Sequence, residues 1–253
     1  MSSASEDRIA VRLRALTAAR VGLGRTGVSQ TACDVLAFQQ AHAMARDAVH
    51  AVLHTGTVAA EMETAYAACE VLRLHSAAAD RAAYLQRPDL GCMLDQESRA
   101  VVVGKTVGCN IALVIADGLS ALAVEHHAVS VLKALLPRLA GWTLAPIAIV
   151  EQGRVAIGDE IGEAFGAEIA VVLIGERPGL SSPDSLGAYI TGMPRRGRSH
   201  AERVCVSNIR PEGLGYDEAA AQLEQILTNA RRLRMTGVGM QPALKGPGEE
   251  SKA

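Results

Sequence analysis

Aromatic residues are scarce in this chain: Phe, Tyr and Trp together make up 3% of its 253 residues. That scarcity removes the stacking platforms on which single-stranded nucleic acid is held. A formal net charge of −2 gives no electrostatic reason for nucleic acid or an anionic membrane as main partner. No apolar run approaches the roughly 18 residues that a spanning helix needs. The opening M-S-S-A-S-E-D-R has no apolar signal core. Cys33, Cys69, Cys92, Cys109 and Cys205 form no C-x-x-C pair, and no histidine cluster stands near them at metal-ligand spacing. A reducing intracellular compartment, cytosolic by default, is the expectation.

What is present is ordinary for a chain with a sizeable core: 49% hydrophobic and 21% charged residues. The length suits one large or two small domains. Neither an internal repeat nor a clear interdomain linker is visible.

The most informative stretch spans residues 145–186. Two β-branched runs, 147–150 and 169–174, have strand length. Between them Ile157, Ile161, Ala164 and Phe165 fall at i, i+4, i+7 and i+8, one face of a helix, and Gly166 follows as a stop. This predicts a βαβ unit with parallel strands in a covered sheet. In such sheets ligands bind beyond the carboxyl ends of the strands. Gly175, Glu176, Arg177, Pro178 and Gly179 stand there. They read either as a ligand loop built on Glu176 or as a plain connection with a surface Glu176–Arg177 pair. Ser182-Pro183-Asp184 then predicts a helix start, with Ser182 as N-cap.

The run 110–116 is the clearest buried strand. It ends at Asp117, which can cap the helix that follows to Leu136 or bind a ligand hydroxyl or amide. That helix carries Glu125, His126 and His127. Adjacent helical residues point in different directions, which argues against a shared histidine site.

Elsewhere the patterns are plainer. A helix over 8–20 bears Ile9, Leu13 and Leu16 on one stripe and is expected to pack on its own domain. Residues 22–27 spell G-x-G-x-x-G, but no strand precedes them and no acid closes a following strand about 20 residues on, so a glycine loop is expected. A helix over 31–53 carries Val35, Phe38 and His42. His42, His50 and His54 lack a carboxylate or cysteine at ligand spacing and read as ordinary histidines. Residues 70–74 read as a strand, 86–91 as a rigid turn, and 97–103 as either helix or strand. Further strands are expected at 186–192 and 203–209, with a closing helix at 216–233. Between those strands Arg195, Arg196 and Arg198 form a basic loop, able to grip phosphate or simply solvated. Cys205, inside a strand, reads as inert packing.

Several collinear segments carry a resemblance: V-I-A-D-G-L-S-A-L-A-V (114–124), G-R-V-A-I-G-D-E-I-G-E (153–163), L-I-G-E-R-P-G-L-S-S-P-D-S-L (173–186) and C-V-S-N-I-R-P-E-G (205–213). A-F-Q-Q-A-H-A-M-A-R-D-A-V-H (37–50) and Y-L-Q-R-P-D-L-G (84–91) join them. Together they resemble the small (light) chain of ethanolamine ammonia-lyase from Arg14 to Gly239. The sequence departs from that pattern at Cys92-Met93, where basic residues are common.

The resemblance implies an α/β fold with a Rossmann-like parallel sheet covered by helices and an N-terminal helical segment. It implies a cobalamin-contacting domain over 76–240, beside the mainly helical region over 1–75 that the stripes predict and a tail over 241–253 whose Gly, Pro and Lys content reads as disordered. It implies a carbon–nitrogen lyase that converts ethanolamine to acetaldehyde and ammonia by radical rearrangement with adenosylcobalamin. The large subunit would be the partner and would hold the substrate and the catalytic residues. This chain would close over the cobalamin through Val155, Glu176 and Cys205, with no metal ligands of its own. The chain has no D-x-H-x-x-G triplet, so the cofactor's own base is expected to stay on cobalt (base-on). Relatives with a longer N-terminal segment are linked to bacterial microcompartments; the short start here argues for plain cytoplasmic residence. Two other readings stand beside this one: a self-sufficient enzyme with Asp117 and Glu176 as acid and base, for which no nucleophile–base constellation is seen, and a binding or scaffold protein.

Overall fold

The computed structural model describes residues 3–17, 19–66, 69–105 and 108–240, with residues 3–8 by backbone alone. The tail expected over 241–253 lies outside the described residues.

The chain begins with α1 (Ser3–Leu16), a small hairpin of β1 (Arg25–Thr26) and β2 (Ser29–Gln30), then α2 (Ala32–His50) and α3 (Thr55–Ala65). Thr31 caps α2 by accepting the Asp34 N–H at 3.2 Å. The glycine segment is a hairpin rather than a loose loop, with Gly27 at φ 65° in its turn, a conformation that favours glycine. The apolar stripe of α1 does not pack on its own domain: Ile9 is 60% and Leu16 84% exposed. The helix rests instead on small residues, Ala10 facing Gly22, and Arg14 Nε donates to the Val21 carbonyl at 3.1 Å.

A six-stranded sheet follows, in the order β3–β5–β4–β6–β7–β8. Its strands are β3 (Val71–His75), β4 (Ile111–Ala116), β5 (Ile147–Glu151), β6 (Ile169–Gly175), β7 (Leu186–Gly192) and β8 (Arg203–Ile209). The first four in spatial order are parallel, while β7 and β8 run antiparallel. The sheet is therefore mixed rather than wholly parallel. The expected βαβ unit is present, but its two strands are not neighbours: β4 lies between β5 and β6. The 75/76 division suggested by sequence falls at the end of β3, which is hydrogen-bonded into this sheet.

The remaining helices are α4 (Arg81–Gln86), α5 (Gln96–Val103), α6 (Ala121–Leu135), α7 (Ile157–Phe165) and α8 (Tyr216–Leu233). Alternation along β4 separates two cores. Ile111, Leu113 and Ile115 meet α3, α6 and α8, whereas Ala112, Val114 and Ala116 meet α5 and α7. The open choice at 97–103 resolves as helix, capped by Asp95, which accepts the Ser98 N–H. α6, apolar almost all round, is core on nearly every side. α7 lies very close to the sheet: a methyl at Gly158 would fall 2.3 Å from Val172 Cγ2. Ile157, Ile161 and Phe165 are fully buried beneath it, each worth about 1.5–3 kcal/mol relative to exposure. Gly166, at φ 66°, ends α7 in the left-handed conformation.

The helix expected from Ser182 is absent. Residues 179–184 make a tight turn in which the Gly179 N–H donates to the Ser182 carbonyl at 3.0 Å, and β7 begins at Leu186. The connection instead folds back so that β7 pairs antiparallel with β6. No helix among the described residues is long and apolar enough to cross a membrane.

Candidate functional site

At the carboxyl ends of the parallel strands, neighbouring connections leave on opposite faces of the sheet. β4 runs on to α6 and β5 to α7, which belong to different cores. Such divergence opens a crevice suited to ligands. Asp117 occupies its floor. Its Oδ1 accepts the Gly153 N–H at 2.9 Å, and its Oδ2 accepts the Gln152 N–H at 3.0 Å and Arg81 Nη1 at 3.3 Å. Ser120, not Asp117, caps α6, accepting the Ala123 N–H at 3.3 Å. Neither sequence role for Asp117 is the observed one: it braces the crevice, where Gln152 sits at φ 56°. Burial, opposed by Arg81 and the backbone donors, pushes its carboxyl up to about 6. At 1% exposure and with both oxygens engaged, it has no access to a substrate.

Above that floor lies a cleft of about 450 Å³ lined by Gly118, Leu119, Arg154, Val155, Glu176 and Arg177, with Tyr84, Ile174, Gly175 and Tyr189. Tyr84 is fully buried, and its ring is held between the guanidinium groups of Arg81 and Arg154, 4.7 and 4.2 Å from its centroid. Burial raises its phenol further, so it stays neutral and donates to the Gly153 carbonyl at 3.2 Å. Arg154 Nη2 donates to the Tyr84 carbonyl at 3.3 Å, while its Nε is buried without a hydrogen-bond partner.

Glu176 is held from one side. Ser185 Oγ donates to its Oε2 at 2.5 Å and the Asn208 N–H to the same oxygen at 3.2 Å. The side chain lies close over the Gly187 backbone: a methyl there would stand 2.9 Å from Oε1 and would push the carboxylate aside. Among the described residues no hydrogen bond is made by Oε1, and no ion pair joins Glu176 to Arg177. The surface pair considered from sequence is not formed, and both side chains line the cleft.

Val155 and Glu176 thus meet in one cleft. Cys205 lies beyond its wall on the outer strand β8, opposite Tyr189 of β7. The residue is exposed, yet desolvation of its sulfur, with the nearby Glu176 charge and against the Tyr189 hydrogen bond, pushes its thiol above the usual range, leaving a neutral thiol. Two of the three arginines of the basic loop are committed: Arg196 Nη2 reaches Glu160 Oε2 on α7 at 3.3 Å, and Arg198 Nη2 donates to the Met193 carbonyl at 2.9 Å. That geometry favours a structural connection over a phosphate grip.

Sequence reasoning missed several residues. Tyr84 and Arg154 stand in the quoted segments but carried no spacing signal. Asp159 and Glu160 on α7 are buried and paired, with Arg203 and with Arg99 respectively. Their signal was two acids in the first turn of an amphipathic helix. The histidine reading is also corrected. His126 Nδ1 and His127 Nε2 each lie 3.4 Å from Asp184 Oδ2, because the turn after β6 brings that carboxylate between them.

Comparison with known proteins identifies relatives of the chain. Residues 7–241 match the family model described as ethanolamine ammonia-lyase light chain (EutC). The chain is 52% identical over 241 residues to the ethanolamine ammonia-lyase small subunit of Ralstonia nicotianae, covering 93% of this chain and 88% of that one. The small subunit of Pseudomonas syringae pv. tomato is 51% identical over 237 residues, covering 91% and 82%. That of Azotobacter vinelandii is 51% identical over 236 residues, covering 91% and 87%.

Proposed function

This chain belongs to the ethanolamine ammonia-lyase light chain family, and from that membership we propose that it is the small subunit of an adenosylcobalamin-dependent ammonia-lyase, active only with its large subunit. The reaction would convert ethanolamine to acetaldehyde and ammonia. The cofactor, when bound base-on, would supply the radical chemistry. On this reading residues 76–240 are the cobalamin-contacting unit, with a Rossmann-like arrangement of the sheet, and the protein works in the cytoplasm, where its free cysteines stay reduced.

The observation that carries the reading is the half-clamped carboxylate of Glu176. Ser185 and Asn208 fix Oε2, leaving Oε1 oriented and free to accept an amide N–H. A corrin ring has a broad apolar face and an amide-rich rim. Val155, Leu119 and Ile174 supply apolar wall, Oε1 an acceptor, and the orphaned Arg154 Nε a donor for an amide carbonyl. The donor set fits that rim. A cleft of about 450 Å³ cannot enclose so large a molecule, so this chain would cover one side and the large subunit the other. Among the described residues no acid–base pair stands ready: Asp117 is sealed, and the titratable neighbours of Glu176, Tyr189 and Cys205, are both pushed up and kept neutral by desolvation. That counts against the self-sufficient enzyme.

The test is acetaldehyde formation from ethanolamine and adenosylcobalamin by the matching large subunit with and without this chain. Activity only with both is expected. Full activity of the large subunit alone would overturn the proposal.

A further inference from the structure

Where α6 meets the turn after β6, His126, His127 and Asp184 each offer one potential ligand atom, all within 4.8 Å of one another. Both histidine nitrogens stand 3.4 Å from the same carboxylate oxygen. Zinc bonds of about 2.0–2.1 Å in a tetrahedron set neighbouring ligand atoms roughly 3.3–3.4 Å apart. These two separations match two edges of that tetrahedron; the His126 contact is at the same time a long, weak hydrogen bond.

A second observation concerns the burial of one of these nitrogens. His127 has a side chain only 5% exposed, yet its Nε2 is buried with no hydrogen-bond partner. An orphaned buried nitrogen is costly unless something coordinates it. Its other nitrogen, Nδ1, lies 2.8 Å from the Tyr216 hydroxyl. With Nδ1–H donating to that oxygen, the Nε2 lone pair points at Asp184. An outer partner on one nitrogen and an open lone pair on the other is the usual arrangement of metal-binding histidines. Arg210, the nearby cation, lies 3.9 Å from Asp184 Oδ1 and equally far from Glu212 Oε2. Its charge is thus shared with a second carboxylate, and it faces the Asp184 oxygen that is not the candidate ligand.

We propose that His126, His127 and Asp184 form a binding site for a divalent transition metal of the zinc type, with an open fourth position. The site is distinct from the cobalamin reading above and does not depend on it. His126 is half-exposed, so the open position faces solvent. A bound ion would tie α6 to the turn after β6, the segment that also carries Glu176 and Arg177. That turn is already fastened by Ser120 Oγ donating to the Pro183 carbonyl at 2.9 Å. The metal would add a second fastening beside the cleft.

The experiment is titration of the full-length chain with Co²⁺ and Zn²⁺ after its exposed thiols are alkylated, read by visible absorption and by calorimetry. One equivalent is expected, with the intense absorption of tetrahedral Co²⁺. His126→Gln, at a surface position that leaves the fold intact, should weaken binding by more than the roughly 10–100-fold typical of losing an outer partner. Asp184→Asn should do the same, and Tyr216→Phe should cost about 10-fold, the low end of that range. Zn²⁺ should raise the Tm of the wild type and not of His126→Gln. Failure of the wild type to bind, or equal binding by wild type and His126→Gln, would overturn the proposal.

Discussion

Asp117 and Gly153 are joined across the crevice between β4 and β5: the Gly153 N–H donates to Asp117 Oδ1 at 2.9 Å, beside the Gln152 N–H on Oδ2 at 3.0 Å. One carboxylate thereby satisfies two buried backbone donors at the point where the chain turns with Gln152 in the left-handed region, a conformation costing about 1–2 kcal/mol. The cleft above inherits its shape from this brace, since Arg154 and Val155 follow directly.

The brace has a pH signature. Burial, the largest influence on Asp117, moves its carboxyl from 3.8 up to about 6. Between those values the folded chain holds a proton that the unfolded chain has released. The stability carried by this group is therefore full below the unfolded pKa and is lost as pH rises through the folded one. At roughly 1.4 kcal/mol per pKa unit, the loss is on the order of 2–3 kcal/mol. Urea denaturation of wild type and Asp117→Asn at pH 4 and pH 7 should show it as a difference between the two pH dependences. Parallel dependences would mean that Asp117 ionises normally in the folded chain.

Glu176→Ala removes an oriented acceptor of the cleft and should weaken cobalamin retention by the assembled complex about 10-fold or more, the worth of a hydrogen bond to a charged group. Ser185→Ala frees Oε2 from its 2.5 Å partner and should fall between wild type and Glu176→Ala. Equilibrium dialysis of the complex against cobalamin gives the order. Wild-type retention by Glu176→Ala would take this carboxylate out of the site.

Cys205 offers a steric test. It lies on an exposed edge strand opposite Tyr189, so a larger side chain there meets solvent rather than core. Cys205→Trp should leave the Tm of the isolated chain nearly unchanged, within the about 0.5 kcal/mol usual for surface substitutions. In the complex it should block cobalamin, while Cys205→Ser should bind normally. Undiminished binding by Cys205→Trp would place the cofactor elsewhere.

How much was legible in the sequence varies with the kind of signal. Period and composition revealed β4, β5, β6, α6 and α7, because buried strands and amphipathic helices write themselves as runs and stripes. Pairing order is set by long-range packing, so the insertion of β4 between β5 and β6 left no local trace. The turn at 182–184 misled because Ser-Pro-Asp suits a helix start equally well. Glu176 was visible as a charge placed after a buried strand. The neighbours that orient it, Ser185 and Asn208, arrive from β7 and β8 through sheet pairing. His126 and His127 appeared divergent as helix neighbours, and only a third element, the Asp184 turn, unites them.

The buried ion pair of Arg203 and Asp159 illustrates the same limit and yields the most demanding test. Arg203 donates through Nη1 and Nη2 to the two Asp159 oxygens at 2.6 and 2.7 Å, with Nη1 also 2.8 Å from Thr191 Oγ1, and both side chains are 3% exposed. The pair pins the first turn of α7 to β7 and β8, the element on which the Val155 loop rests. Removing one partner leaves the other charged and dry, which typically costs about 3–5 kcal/mol. Replacing both by apolar groups of matching volume removes the desolvation penalty together with the attraction. Asp159→Ala should therefore lose most of that amount in chemical denaturation, whereas the double variant Asp159→Leu with Arg203→Met should recover much of it. A double variant as unstable as Asp159→Ala would show that the geometry of the pair, rather than the avoidance of a lone buried charge, is what α7 requires.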